Sequence, residues 1–277
     1  MSDALATWID GVEGHLVPAD DRGLQYGDGV FETILVRRGV PRFLAAHRER
    51  LRRGLTRLGI PSPRSEILDR EIARAAAMAP PLAVLKIIVT RGSLSRRGYA
   101  PAGIAVPRRI VSLWPTVPLQ PGLIEQGVAL DVARLRLPEP SPVAGLKHLN
   151  RLENVMAAAD GLGASCFDVL MLNESGHVVS GASCNVFVLE SGRLSTAPVT
   201  RSGVAGVMRE IVLREAPRLG LAICERSFTL DEALRADAMF ITNARIGVVP
   251  VKRVREHEFA MSETVFRLRQ VIEGLDA

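Results

Sequence analysis

Three prolines within seven residues, Pro115, Pro118 and Pro121, divide the chain into two parts. Proline fixes its own backbone and has no N–H to donate, so regular structure does not run through Trp114-Pro-Thr-Val-Pro-Leu-Gln-Pro-Gly122. The run predicts a stiff connection over 115–122, between an N-terminal domain at 1–114 and a C-terminal domain at 123–277. At 277 residues the chain is long enough for two cores without disulfide support.

The pattern on either side is mixed. Gly29 to Arg37 alternates as a strand does, and Leu44, Leu51, Leu55 and Leu58 recur at helical spacing until Gly59 and Pro61 stop them. A second helix is expected over 64–78, and strands over 82–90 and 109–114. Beyond the prolines the pattern predicts strands at 128–137, 168–172, 178–179, 186–189, 222–226, 239–242 and 248–251. Helices are expected at 150–162, 207–219 and 262–275, with a short one opened by the Thr229/Glu232 capping box. Without a strict strand-helix rhythm or an internal repeat, the fold class is α+β, a two-domain chain with a strand-rich second part.

Composition excludes several functions. The formal charge is +5, but aromatic residues are only 4% and the arginines sit singly around apolar stripes. Nucleic acid therefore has no stacking platform, and a positive field that gathers a small anionic molecule is the better reading. Cys166, Cys184 and Cys224 form no C-x-x-C pair and imply neither a disulfide framework nor a metal cage. No apolar stretch reaches the length of a membrane span, so a soluble cytoplasmic protein is expected and the Asn173-Glu-Ser175 sequon is a chance match. Phosphate-loop, dinucleotide, zinc-protease and serine-elbow motifs are missing; Gly181-Ala-Ser-Cys-Asn185 approaches the last but lacks its final glycine.

Lysine is scarce: Lys86, Lys147 and Lys252 are the only ones. Lys147 follows a proline-bearing loop and precedes a helix. A lysine in a low-dielectric cleft loses proton affinity and becomes a nucleophile for carbonyls, whereas the same residue in water is an ordinary surface charge. Two segments offer anion sites, each also readable as a simple turn. Gly203-Val-Ala-Gly206-Val-Met-Arg209 leads into a helix whose first N–H groups point outward, and Ile241-Thr-Asn-Ala244 ends a strand with small polar residues.

Five segments occur together in a fixed order: Asp21-Arg-Gly-Leu-Gln-Tyr-Gly-Asp-Gly-Val-Phe-Glu32, Ala46-His-Arg-Glu-Arg-Leu51, Lys147-His-Leu-Asn-Arg-Leu-Glu-Asn-Val155, Asn185-Val-Phe187 and Gly203 to Arg209. This set resembles the class IV aminotransferase-like enzymes. Lys-His-Leu-Asn-Arg-Leu-Glu and Arg96-Arg-Gly-Tyr99 resemble the lyases of that family more than its D-amino-acid or branched-chain aminotransferases.

The resemblance implies a small N-terminal α/β domain, a C-terminal pseudobarrel, a homodimer, and pyridoxal 5'-phosphate as cofactor. It implies that Lys147 holds the cofactor as a Schiff base and moves protons. It further implies that Arg50 meets the phosphate as a charged fork, that the backbone of Val207 and Met208 cradles it, and that the Asn243-Ala244 turn completes the cradle. Asn185 would lie near the cofactor ring, and Tyr26, Arg97 and Tyr99 would face a small anionic substrate. Besides Lys147, the resemblance leaves Tyr26, Glu32, Tyr99 and His148 as the candidates for acid-base work in the matched segments, and no metal site is implied. One position departs from the family: Ser180 stands where a glutamate usually faces the pyridine nitrogen.

Overall fold

The computed structural model describes residues 3–95, 98–101, 103–161 and 166–275, and these form two units. The first comprises residues 1–118 together with 147–150; the second comprises 119–146 and 151–277. The second unit thus begins inside the proline run, after Pro118, while four residues from the middle of the chain belong to the first.

The first unit is a six-stranded antiparallel sheet in the order β2-β1-β6-β5-β3-β4. Its strands are β1 (Ala6–Ile9), β2 (Val12–Glu13), β3 (Gly29–Arg37), β4 (Val40–Pro41), β5 (Leu82–Thr90) and β6 (Arg108–Pro115). The short helix α1 (Arg22–Tyr26) precedes β3, and α2 (Leu44–Leu58) and α3 (Ser65–Ala77) join β4 to β5. Alternation dictates the packing. Val30, Ile34 and Val36 of β3 and Leu85, Ile87 and Val89 of β5 share one core with Leu51 and Leu55 of α2 and Ile72 of α3. Each such side chain contributes about 1.5–3 kcal/mol relative to exposure. Phe31, Thr33 and Lys86 fall on the other face.

The second unit holds nine strands. They are β7 (Val128–Leu137), β8 (Asp168–Asn173), β9 (Val178–Gly181), β10 (Asn185–Glu190), β11 (Arg193–Thr196), β12 (Ala222–Glu225), β13 (Ala238–Asn243), β14 (Gly247–Val254) and β15 (His257–Glu258). The sheet runs β12-β11-β10-β13-β14-β7-β8-β9, with β15 on β14. Its last strand returns toward β10, since the Gly181 N–H donates to the Cys184 carbonyl at 2.8 Å, and the sheet curls. Around it lie α4 (Pro121–Glu125), α5 (Leu152–Gly161), α6 (Val207–Glu215), α7 (Leu230–Leu234) and α8 (Glu263–Gly274). This mixture of helices with one curled, strand-rich sheet agrees with the expected class.

Several boundaries differ from the sequence pattern. The helix expected to reach Leu219 ends at Glu215, and residues Ala216–Leu219 tighten into a 3-10 turn around Pro217, which cannot donate to a further α turn. Strand β1 is absent from the sequence reading because its four residues, Ala-Thr-Trp-Ile, give too short a period to register.

Candidate active site

The segment carrying Lys147 behaves as a short extra strand on β3. The Phe31 N–H donates to the Lys147 carbonyl at 3.0 Å, the Leu149 N–H donates to the Gly29 carbonyl at 3.0 Å, and Val30 faces His148 in an antiparallel bridge. Asn150 closes the segment through its side-chain amide, which donates to the Gly27 carbonyl at 3.1 Å. Gly27 has φ of +65°, and a Cβ there would lie 2.4 Å from Asn150 Oδ1, so any other residue would be strained and would push the Asn150 amide aside. The two halves of the resemblance, Tyr-Gly-Asp-Gly-Val-Phe and Lys-His-Leu-Asn, are therefore one piece of backbone pairing.

This pairing sets Lys147 Nζ 4.2 Å from the centre of the Phe31 ring, with the lysine half-buried. Lys86, from β5, lies 5.7 Å from the same ring. Two of the three lysines thus share one aromatic face-partner, a feature the sequence reading missed although their scarcity marked them.

Beneath this strand a charged cluster is buried. Glu32, 1% exposed, accepts from Arg50 Nε at 2.8 Å and from Arg50 Nη2, while its Oε2 lies 2.6 Å from His47 Nδ1. Burial pushes the Glu32 carboxyl up, but the hydrogen bonds and charges of Arg50 and His47 outweigh it and hold the group below the usual carboxylate range. Burial pushes the His47 imidazole down, as do the charges of Arg50 and Lys147; Glu32 opposes them without reversing the shift. His47 is therefore neutral, with its proton on Nδ1, and its buried Nε2 has no hydrogen-bond partner among the described residues. The Nε/Nη2 edge of Arg50, expected to grip a phosphate, is engaged by Glu32. Glu32 itself carried a signal: it stands at an inward position of β3, between Val30 and Ile34.

Tyr26 ends α1 beneath the Arg22 guanidinium, 4.7 Å from its ring, and meets Tyr99 edge-on at 5.5 Å between ring centres. Tyr99 is 86% exposed, and Arg22 holds its loop by donating to the carbonyls of Gly98 and Tyr99 at 2.8 Å each. Arg97 lies outside the described residues.

The second unit brings its predicted residues together. Helix α6 starts at Val207 after Gly206, and no side chain caps its first turn. A Cβ on Gly206 would stand 2.0 Å from Asn185 Oδ1, so the glycine leaves room for Asn185 against the helix start. Asn185 Nδ2 donates to the Val204 carbonyl at 3.0 Å. Asn243 turns its Oδ1 back on the N–H groups of Arg245 and Ile246, at 2.9 and 3.0 Å, and its Nδ2 toward the Ser183 carbonyl and Cys184 Sγ. Uncapped backbone donors at the start of a nine-residue helix, walled by Asn185, suit a phosphate. Ser180 is buried in β9 opposite Met171. Among the described residues no group of three or more His, Cys, Asp or Glu is arranged to hold a metal.

The sequence pattern of the family Amino-transferase class IV matches residues 29–254, and the chain belongs to that family. The family consists of enzymes that use pyridoxal 5'-phosphate, which is the cofactor of this chain as a member of it. Over 268 residues the chain is 34% identical to an aminodeoxychorismate lyase of Vibrio harveyi, covering 96% of this chain and 98% of that one. It is 32% identical to a D-alanine aminotransferase of Bacillus licheniformis, over 86% and 83% of the two chains. The crystal structure of 4-amino-4-deoxychorismate lyase from Pseudomonas aeruginosa superimposes with a TM-score of 0.92 at 40% identity, covering 98% of this chain and all of the other.

Proposed function

We propose that this chain is a lyase converting 4-amino-4-deoxychorismate to 4-aminobenzoate and pyruvate, with Lys147 as its acid and base. The observation that carries the reading is the likeness to the Pseudomonas aeruginosa lyase, 40% identical along essentially the whole of both chains. The buried Ser180 favours it as well, since transamination relies more on a carboxylate at that position.

Lys147 would hold the cofactor through its ε-amine. The N–H groups of Val207 and Met208, the Asn243-Ala244 turn and Arg50 would receive the phosphate, and Asn185 would lie beside the ring. When bound, pyridoxal phosphate supplies an electron-accepting ring that stabilises negative charge on the carbon bearing the substrate amine. Lys147 Nζ takes the proton from that carbon. The bond from the neighbouring ring carbon to the enolpyruvyl oxygen breaks, the ring becomes aromatic, and a proton delivered from Lys147 Nζ to the enol methylene yields pyruvate. Tyr26, Arg97 and Tyr99 would receive the anionic substrate, and Lys86 adds a further positive charge on the Lys147 side of the sheet.

We place the chain in the cytoplasm as a homodimer. No helix among the described residues is long and apolar enough to cross a membrane, and the cysteines are unpaired. A second copy would cover the apolar ridge of α5, where Leu152, Val155 and Met156 are 71%, 61% and 55% exposed at helical spacing.

The test supplies chorismate, glutamine and an aminodeoxychorismate synthase, and follows 4-aminobenzoate with and without this protein. Formation that depends on the chain supports the lyase. No formation, with amino-group transfer from D-alanine or a branched-chain amino acid instead, would move the assignment to an aminotransferase.

A further inference from the structure

Arg22 has no part in the steps above, yet every nitrogen of its side chain is engaged within the first unit. The residue is 5% exposed, and a guanidinium taken out of water needs an anion and further acceptors to compensate it. Asp28 supplies the anion, accepting from Arg22 Nε at 2.9 Å. The two terminal nitrogens donate to successive carbonyls, those of Gly98 and Tyr99, at 2.8 Å each, and the flat face of the same group lies 4.7 Å from the centre of the Tyr26 ring. The backbone of Arg22 is fixed just beyond β5, where its N–H donates to the Gly92 carbonyl at 3.0 Å. Asp28 is shared with Arg91, which donates in turn to the carbonyls of Leu58 and Gly59 at 2.7 and 2.8 Å, so the anchor reaches the end of α2.

We infer that Arg22 is a positioning residue for the substrate: it sets the edge-on pairing of Tyr26 with Tyr99, the two aromatic groups assigned above to the anionic substrate. The inference rests on that assignment. The Tyr99 ring is exposed, so its backbone places it more than packing around it does. Arg22 fixes that backbone at two consecutive carbonyls and meets Tyr26 face-on, so one side chain sets both halves of a pair whose ring centres are 5.5 Å apart. Lysine could not do the same, because an ammonium is a point charge with neither a planar face nor a fork of donors. The two rings then present one fixed surface to a cyclic, carboxylate-bearing substrate, and they are ordered before it binds.

The composition makes a direct test available, because Tyr26 and Tyr99 are the only tyrosines in the chain. In the full-length holoenzyme, deuterated except at tyrosine, proton NMR is expected to show an Overhauser signal between two ring systems, which Tyr26→Phe assigns. Arg22→Lys keeps the charge and loses the fork. In that variant, folded, the ring-to-ring signal is expected to weaken, and KM for 4-amino-4-deoxychorismate to rise about tenfold or more while kcat changes less than about twofold. A purely structural arginine would lower the amount of folded enzyme, and kcat with it, at unchanged KM. An unchanged Overhauser signal or an unchanged KM in folded Arg22→Lys overturns the inference. Should the variant not fold, the wild type decides: a ring-to-ring signal supports the inference, and a Tyr99 ring with no such signal to Tyr26 overturns it. A wild type that forms no 4-aminobenzoate would instead remove the lyase reading, and the Overhauser comparison still decides for or against Arg22.

Discussion

Lys147 and Phe31 are joined twice: the Phe31 N–H donates to the lysine carbonyl at 3.0 Å, and the lysine ammonium lies 4.2 Å from the phenylalanine ring. The backbone bond places the residue and the ring borders its amine. Substituting the amine alone therefore leaves the placement intact. Lys147→Ala is expected to keep its fold and cost at least a thousandfold in 4-aminobenzoate formation, since it removes the only group assigned to the proton transfers. The coupled assay, with circular dichroism as the control for folding, checks this.

Gly206 is the tightest point of the second unit's cradle. An alanine there would drive its methyl carbon to within 2.0 Å of Asn185 Oδ1, so either Asn185 or the start of α6 must move. Gly206→Ala is expected to weaken pyridoxal phosphate binding by about tenfold or more while affecting pyridoxal, which lacks the phosphate, much less. Equal losses for the two ligands would place the phosphate elsewhere.

Ser180 offers a gain-of-function test. Ser180→Glu supplies a negative charge at the position where the family usually has one, and side transamination of D-alanine or a branched-chain amino acid is expected to rise relative to lyase turnover. No change, or a fall, would count against the role given to this position.

Asp28 ties the first unit together at low pH. Burial pushes its carboxyl up, but hydrogen bonds from Arg91 and Arg22 prevail and hold it below the ordinary value of 3.8. A pKa lower in the folded chain than in the unfolded one gives stability that is full above about pH 4 and lost as pH falls through the folded value. Asp28→Asn leaves two mostly buried arginines without their carboxylate, and is expected to cost about 2–4 kcal/mol at neutral pH and to flatten the acid limb of the stability profile. Urea unfolding at several pH values measures both effects.

What the sequence made legible followed from strong local physics. Residues 29–37 alternate and residues 82–90 form a short, bounded apolar run, so the predicted strands match the observed ones to the residue, and the Thr229/Glu232 capping box forms as expected. Asn185, at the start of a strand, meets the helix start at Val207 and Met208 across Gly206, the glycine that the sequence marks before that helix. The pairing of residues 147–149 with β3 was hidden, because the contact spans more than a hundred residues and Leu149 alone carries an apolar cue. The partner of Arg50 was hidden for a related reason. An arginine's charge announces that it needs an anion, but only the inward register of Glu32 reveals that the protein supplies one.

The chain's route also bears on how it can be taken apart. Cutting at the prolines would yield a first fragment whose β3 begins with an unmet acceptor at Gly29 and an unmet donor at Phe31, and a second that carries away the segment from Lys147 to Asn150 that meets them. The two stretches are separate in packing yet interleaved in sequence. Neither half can be inherited, swapped or expressed as a finished module, and a gene fusion that exchanges one half for a relative's must bring a compatible Lys-His-Leu-Asn with the other.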